Sequence, residues 1–445
     1  MRILLISHFF PPNFNAGTEN YTQALAKVLQ FNGHEVEVLC AEDWDNGENY
    51  WNGITQDEYD GIPVYRIHLN WLKANNPNKI LYDSSIVETN FSRLIESHDY
   101  DIVHVTSAIS LGVGILRSVK SFGIPLVLTL MDFWFICPSI QLLRSDGSLC
   151  DRHTTAWECQ SCLMGGSNFY QRFDKTLLPK PIQSQILSNL AYIPALNKRR
   201  GFRGMLLNMN ERKKILNQAI TLPDRVISHS RVVKQMVSRI TSVHIEEIRN
   251  GYSSSWVDNF QTESSKNGYR FGFIGQILEI KGVHTLIEAF QKSQLDGKAR
   301  LDIWGDYTKD QSYTERLKEL IADNRSIHLN GRFEHDQLVD VLAKIDILIV
   351  PSLWYENAPL VIQEAFAVKI PIIATNLGGM AEVITHDING LLFERGDVNA
   401  LARQIKRVSE EPGLLERFRQ EIPPVKTLAE EVKELENIYK ELVIG

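Results

Sequence analysis

The sequence predicts two doubly wound α/β domains with parallel sheets, and three observations carry that expectation. Short apolar runs, the length of buried strands, alternate with segments of helical periodicity in both halves of the chain. At 445 residues the chain is long enough for two domains with separate cores. A polar stretch, Gln261 to Gly268, parts the two series of elements and reads as a linker. Composition agrees, since 44% hydrophobic and 23% charged residues is ordinary for globular domains. A net charge of −7 speaks against nucleic acid as a partner. No apolar run reaches the ~18 residues that span a bilayer. Met1 to Ser7 is too short for a signal-peptide core, so a cytoplasmic location is expected.

Arg2 to Ser7 reads as a buried strand. The loop from His8 leads to a helix from about Thr18 to Phe31, with Tyr21, Leu25, Val28 and Leu29 at helical spacing. His34 to Cys40 is the next strand. Gly17 at the helix start lets backbone amides approach a phosphate. Asp43-Trp44-Asp45 has the form of a metal-binding triplet, but it sits in an acidic, Gly- and Asn-rich stretch and reads as a solvated loop. Ile62 to His68 is a strand, Lys79 to Ser97 a helix, and Asp101 to Val105 and Ile124 to Leu130 are buried strands. His104 and Asp132 then fall at adjacent strand ends, where open α/β sheets bind ligands; His104 is as readily a structural histidine.

Cys137, Cys150, Cys159 and Cys162 follow within a short, loop-rich insertion (137–162). Four thiolates are the ligand count of a structural zinc site, with unpaired thiols or a redox pair as the alternatives. Residues 165–215 form a basic excursion with interleaved apolar side chains. Such a segment can lie on an anionic membrane surface, grip an acceptor phosphate, or be a solvated helical face. Arg225 to Ser228 is a strand, a helix runs from Ser230 to about Ile240, and a turn at Glu247–Gly251 closes a first domain of residues 1–255.

The second domain, 266–422, opens with a strand at Tyr269–Gly275, a loop carrying Gln276 and Lys281, and a helix from Val283. Lys281 is a compact charge placed to reach a diphosphate, although a lone loop lysine is usually just solvated. Strands at Arg300–Trp304, Ile327–Leu329 and Ile345–Val350 alternate with helices at Tyr313–Ala322 and Glu334–Ala343. After Val350 comes Ser352 to Glu364. Asn357 suits a helix cap and Pro359 a first turn, so the N–H groups of Ala358, Leu360 and Val361 are expected to face the mouth of the sheet. A helix N-terminus takes an anion; Glu356 in the loop and Glu364 in the helix can accept bonds from hydroxyls. By spacing alone the two glutamates also fit a solvated face. Ile370 to Thr375 is a further strand, followed by Gly378-Gly379 and Glu382. Pro423-Pro424 breaks the chain before a last helix, about Thr427 to Val443, in residues 423–445.

Glu356 and Glu364, with seven residues between them, resemble the paired-glutamate motif of the retaining, nucleotide-sugar-dependent glycosyltransferases of family 4. The resemblance implies the GT-B fold: two Rossmann-like domains facing a cleft, an acceptor-side first domain, and a last helix that packs back on it. It implies a nucleotide-diphosphate sugar as donor, held by Lys281 and Gln276 at the diphosphate, with amides near Gly17 and at Asn357, Ala358, Leu360 and Val361. Phe333, after Gly331-Arg332, falls where the family holds the base. Glu364 is expected on the ribose and Glu356 on a hydroxyl of the transferred sugar, with Asp132 beside Glu356 in the catalytic group. Ala16 replaces a family glycine, Gln276 an arginine, and Met131 a histidine that touches the donor sugar; a 6-deoxy sugar donor would suit that last change. The implied activity is hexosyl or deoxyhexosyl transfer, without a catalytic metal, to a saccharide or lipid-linked acceptor. Cell-surface polysaccharide or glycoconjugate synthesis, peripheral on the inner face of the membrane, fits it. A sugar phosphorylase or nucleotide-sugar epimerase on the same fold, or a catalytically idle scaffold, are the alternatives.

Overall fold

The computed structural model describes residues 1–150, 156–164, 178–179, 182–183, 186, 205–253, 256–257, 260–261, 268–295 and 297–444. The chain divides into two compact units, one of Met1–Arg249 with Leu428–Gly445 and one of Asn250–Thr427.

The first unit is built on an eight-stranded sheet. Its strands are β1 (Arg2–Ser7), β2 (Glu35–Asp43), β3 (Trp51–Tyr59), β4 (Ile62–Leu69), β5 (Ile102–Val105), β6 (Leu126–Leu130), β7 (Arg225–Ser228) and β8 (Ile245–Glu247). They lie in the order β3-β4-β2-β1-β5-β6-β7-β8. The central strands are apolar and buried on both faces, as parallel strands between helices must be. The sheet is not wholly parallel: β3 runs antiparallel to β4 at the edge. Asp43 ends β2, Trp44 and Asp45 lie in the loop that follows, and β3 comes after it in a stretch to which the sequence assigned no element. Residues 55–58 of β3 are exposed, so no buried alternation marks them. β8, to which the sequence assigned no element, is only three residues long and ends where the expected turn at Glu247–Gly251 begins.

The expected helix Lys79–Ser97 is two helices, Pro77–Ile80 and Ser85–Glu96, with Ser84 at the second N-cap. The helix Leu428–Ile444 belongs to this unit. Leu428, Val432, Leu435, Ile438 and Tyr439 share a core with Tyr21, Leu25 and Leu29 of the helix Gly17–Phe31. Tyr21 Oη donates to the buried Glu431 at 2.6 Å. His104 is fully buried, with Tyr439 Oη 2.5 Å from Nδ1 and Thr129 Oγ1 2.7 Å from Nε2. Burial lowers its pKa to about 3, helped by nearby His229, so it packs as a neutral structural residue. Most of the basic stretch 165–215 lies outside the described residues. Of its charges, Arg212 is buried, stacks on Trp134 at 5.7 Å and donates to the Trp134 carbonyl. It therefore presents no charge to a surface.

The second unit carries a six-stranded, wholly parallel sheet: β9 (Tyr269–Ile274), β10 (Ala299–Trp304), β11 (Ile327–Gly331), β12 (Ile347–Val350), β13 (Ile372–Thr375) and β14 (Gly390–Phe393). The order is β11-β10-β9-β12-β13-β14. Successive strands step outward from β9 on one side and from β12 on the other, so the order reverses between β9 and β12. The loops leaving these two strands flank a crevice at their carboxyl ends, the usual ligand position in such sheets. One loop carries Gln276 and Lys281, the other Ser352 to Pro359. The helices Val398–Glu410 and Leu414–Glu421, which the sequence reading did not assign, complete the core with Leu401, Ile405, Leu415 and Phe418.

Candidate active site

Backbone packing joins the two switch-point loops. Leu353 N–H donates to the Ile280 carbonyl at 2.8 Å. Gly282, at φ +71°, sits so close to Pro351 that an added Cβ would lie 2.1 Å from the Pro351 oxygen. From the third side, Gly379 N–H donates to the Glu356 carbonyl at 2.8 Å, and a Cβ on Gly379 would lie 1.7 Å from the Asn357 oxygen. Glycine is required at both positions because backbone meets backbone there.

This packing sets Glu356, 7% exposed, among three donors. Lys281 Nζ (2.7 Å), Ser352 Oγ (2.7 Å) and Trp354 Nε1 (2.9 Å) all donate to its Oε1. Lys281 also stands over the Trp354 ring, 5.3 Å from its centroid. None of the three bonds falls on Oε2. A carboxylate oriented this firmly can offer that oxygen to a hydroxyl in a fixed direction.

The helix that follows is Leu360–Ala367. Its N-cap is Pro359, extended at ψ 118°, and no side chain caps it. Asn357 is therefore not the cap, and Ala358 stands before the first turn. Leu360 and Val361 are its first two residues, so their N–H groups have no preceding turn to bond. Glu364 lies one turn further on. Tyr252 Oη donates to its Oε1 at 3.3 Å, and burial raises its pKa to about 7, opposed in part by that hydroxyl.

The remaining expected residues are distributed over both units. Gln276 is half-buried in the loop after β9, its carbonyl accepting from Leu278 N–H at 3.0 Å. Phe333 follows β11 and packs partly against the core under the helix Leu360–Ala367. In the first unit, Gly17 begins its helix with open space where a Cβ would stand, so nothing in the fold demands glycine. Asp132 follows β6 and lines a small pocket with Thr106, Ser107, Met131 and Trp134. Its Oδ1 accepts from Trp134 N–H at 2.7 Å, and burial raises its pKa against the opposing pull of that bond and of His8.

All four expected zinc ligands lie among the described residues, and none is in a disulfide. They are near neighbours: burial raises the Cys150 and Cys162 thiols, and the charges of Cys137 and Cys159 act on both. Among the described residues, however, no three His, Cys, Asp or Glu side chains gather into a group that could hold a metal. The zinc expectation gains no support, because coordination needs the sulfurs to converge on one point. Sequence reasoning missed Ser352 as a partner of Glu356 and Tyr252 as a partner of Glu364. No spacing signal marks either one.

Comparison with known proteins agrees with this layout. Residues 254–423 match the family model described as glycosyl transferases group 1, and residues 15–160 match glycosyltransferase family 4. An uncharacterized glycosyltransferase of Methanocaldococcus jannaschii is 27% identical over 429 residues, covering 94% of this chain and 91% of its own length. A second from the same organism is 26% identical over 231 residues, or 51% of this chain; the match spans 62% of that relative, less than two thirds. Among solved structures, Anabaena HepE in complex with UDP and glucose superposes with a TM-score of 0.62 at 16% identity, covering 99% of this chain and 100% of that one. At that identity the likeness shows the fold alone.

Proposed function

Both domains indicate a glycosyltransferase of the GT-B type, and from that premise we propose that this protein moves a sugar from a nucleotide-diphosphate sugar to an acceptor hydroxyl with retention of configuration. The observation that carries the reading is the joining of Lys281 and Glu356, 75 residues apart, at 2.7 Å beside the β9/β12 switch point. A cation and an oriented carboxylate at the start of a helix suit a ligand with both a diphosphate and hydroxyl groups. In this reading Lys281 keeps its bond to Glu356 Oε1 and turns its remaining N–H groups to the diphosphate, and the N–H groups of Leu360 and Val361 take its other oxygens. Glu356 Oε2 accepts from a hydroxyl of the sugar. Glu364 accepts from the ribose, and Gln276 and Phe333 flank the diphosphate and the base. As the glycosidic bond breaks, charge develops on the leaving diphosphate. Lys281 and the helix N-terminus stabilise it without reorganising, which is where such a site gains most of its rate. The UDP bound to HepE makes a uridine nucleotide the first donor to test.

The test is nucleotide release from a panel of nucleotide sugars, with and without saccharide acceptors, and the anomeric configuration of the product by NMR. Acceptor-dependent release with retention is expected. Release that requires inorganic phosphate, or isomerised nucleotide sugar formed without an acceptor, would overturn the reading in favour of a phosphorylase or an epimerase.

A further inference from the structure

Tyr252 lies 112 positions before Glu364, yet its hydroxyl donates to that carboxylate, at Oε1 and 3.3 Å. The tyrosine is fixed there from three sides. Its own N–H donates to the Lys426 carbonyl at 2.9 Å, within a parallel bridge between Tyr252 and Thr427. Two residues earlier, Gln363 Nε2 donates to Asn250 Oδ1 at 2.8 Å, which ties the same segment to the helix Leu360–Ala367. The Tyr252 ring is buried and stands edge-on to Trp256, with centroids 6.3 Å apart.

Burial and the neighbouring carboxylate raise the Tyr252 pKa well above its ordinary value, so the phenol stays protonated and acts at Glu364 as a donor. A buried donor that loses its acceptor costs free energy, so Tyr252 keeps its hold on Oε1 when a ligand arrives. The bond that Glu364 accepts among the described residues falls on Oε1 and leaves Oε2 open. A carboxylate that grips a vicinal diol gives one oxygen to each hydroxyl. Here one of the two oxygens is already engaged. A second donor at Oε1 would have to share it with the tyrosine, so the full gain of a charge-assisted bond is available only at Oε2. One hydroxyl of the pentose is enough to take it. Only the phenol oxygen has this effect, since a phenylalanine ring would pack against Trp256 equally well.

We propose that Tyr252 is a specificity-determining residue of the nucleotide site: by occupying Glu364 Oε1 it reduces what the site asks of the pentose from a vicinal diol to a single hydroxyl. Resting on the donor reading above, the inference widens the donor class from ribonucleoside to 2′-deoxyribonucleoside diphosphate sugars. The 3′ hydroxyl, common to both, is the one that takes Oε2. Tyr252 itself makes and breaks no bond of the substrate.

The experiment uses the full chain and titrates UDP, ADP and GDP calorimetrically, each against its 2′-deoxy counterpart. At least one pair is expected to bind, with its two members differing by less than about threefold; a second hydroxyl bonded to a charged group would separate them by about tenfold or more. Tyr252→Phe keeps the ring against Trp256 and frees Oε1, so the ribo form should then be favoured over the deoxy form by about tenfold. A merely structural loss would weaken both members alike and leave their ratio where it was. Glu364→Ala should weaken both members alike, by about tenfold or more. The proposal is overturned if the unaltered chain prefers the ribo form by about tenfold or more, if Tyr252→Phe leaves the ratio unchanged, or if Glu364→Ala leaves both affinities intact. The comparison in the unaltered chain requires no variant, so it decides the matter even if Tyr252→Phe fails to fold. Binding of no pair would remove the donor reading and this inference together; a ribo-selective pair would remove this inference alone.

Discussion

Glu356 and Glu364 lie eight positions apart, yet their surroundings differ in kind. Glu356 has a cation, a hydroxyl and an indole N–H on one oxygen. Glu364 has one tyrosine hydroxyl at 3.3 Å, and burial raises it to about 7. Three donors fix a carboxylate's direction; one long bond leaves it to its ligand and to pH. The loop residue is therefore built for geometry and the helix residue for occupancy. In the proposed reaction the first should govern the chemical step and the second donor affinity, and the variants below test that division.

Glu356→Ala should have the largest effect. Transfer is expected to fall by about 10²–10³-fold in kcat, as for loss of a preorganised polar group at a reacting centre. UDP affinity should change little. Equal losses in both would erase the distinction between the two carboxylates. Lys281→Met comes next. It removes the proposed diphosphate cation, so UDP binding should weaken by about 1.5–3 kcal/mol, roughly 10–150-fold, in a calorimetric titration. A weakening that vanishes at high salt would place Lys281 at the periphery of the ligand instead.

The contrast between the carboxylates was hidden in the sequence although their positions were not. The strands of the second unit are legible because each is a continuous apolar run, and a run such as Ile347–Val350 locates the loop after it. Glu356, Glu364 and Lys281 follow from that placement and from the resemblance. Their partners do not follow, because Ser352, Trp354 and Tyr252 are ordinary loop residues until the chain brings them to the carboxylates. The misplaced cap has a simple cause: Pro359 can begin a helix or stand just outside one, and its ψ of 118° puts it outside. β3 failed for the opposite reason, since its exposed acidic residues carry no hydrophobic pattern.

The pH dependence should separate the two carboxylates by a smaller margin. Because the Glu364 pKa in the folded chain, about 7, lies above the ordinary carboxylate range, the unfolded chain releases this proton first as pH rises. Its contribution to stability is thus full below that range and falls by up to about 3 kcal/mol by neutral pH. Glu364→Gln should flatten this slope in denaturant titrations between pH 4 and 8. Affinity runs the other way. A protonated acid has fewer acceptors for a ribose diol, so UDP binding should weaken about three- to tenfold as pH falls below about 7, and Glu364→Gln should abolish that dependence. A dependence that survives the substitution would assign the titration to another group.

Trp354→Phe should have the smallest effect and is the most informative about geometry. It removes the indole N–H that donates to Glu356 at 2.9 Å but keeps an aromatic ring under Lys281. Lys281 and Ser352 still hold the same oxygen, so stability should drop by only about 1 kcal/mol. If fixing the carboxylate's direction matters for the chemical step, kcat should fall several-fold while the donor KM stays put. A rise in KM with kcat intact would mean instead that the tryptophan serves mainly to place Lys281, which would shift the orienting role from the loop carboxylate to its cation.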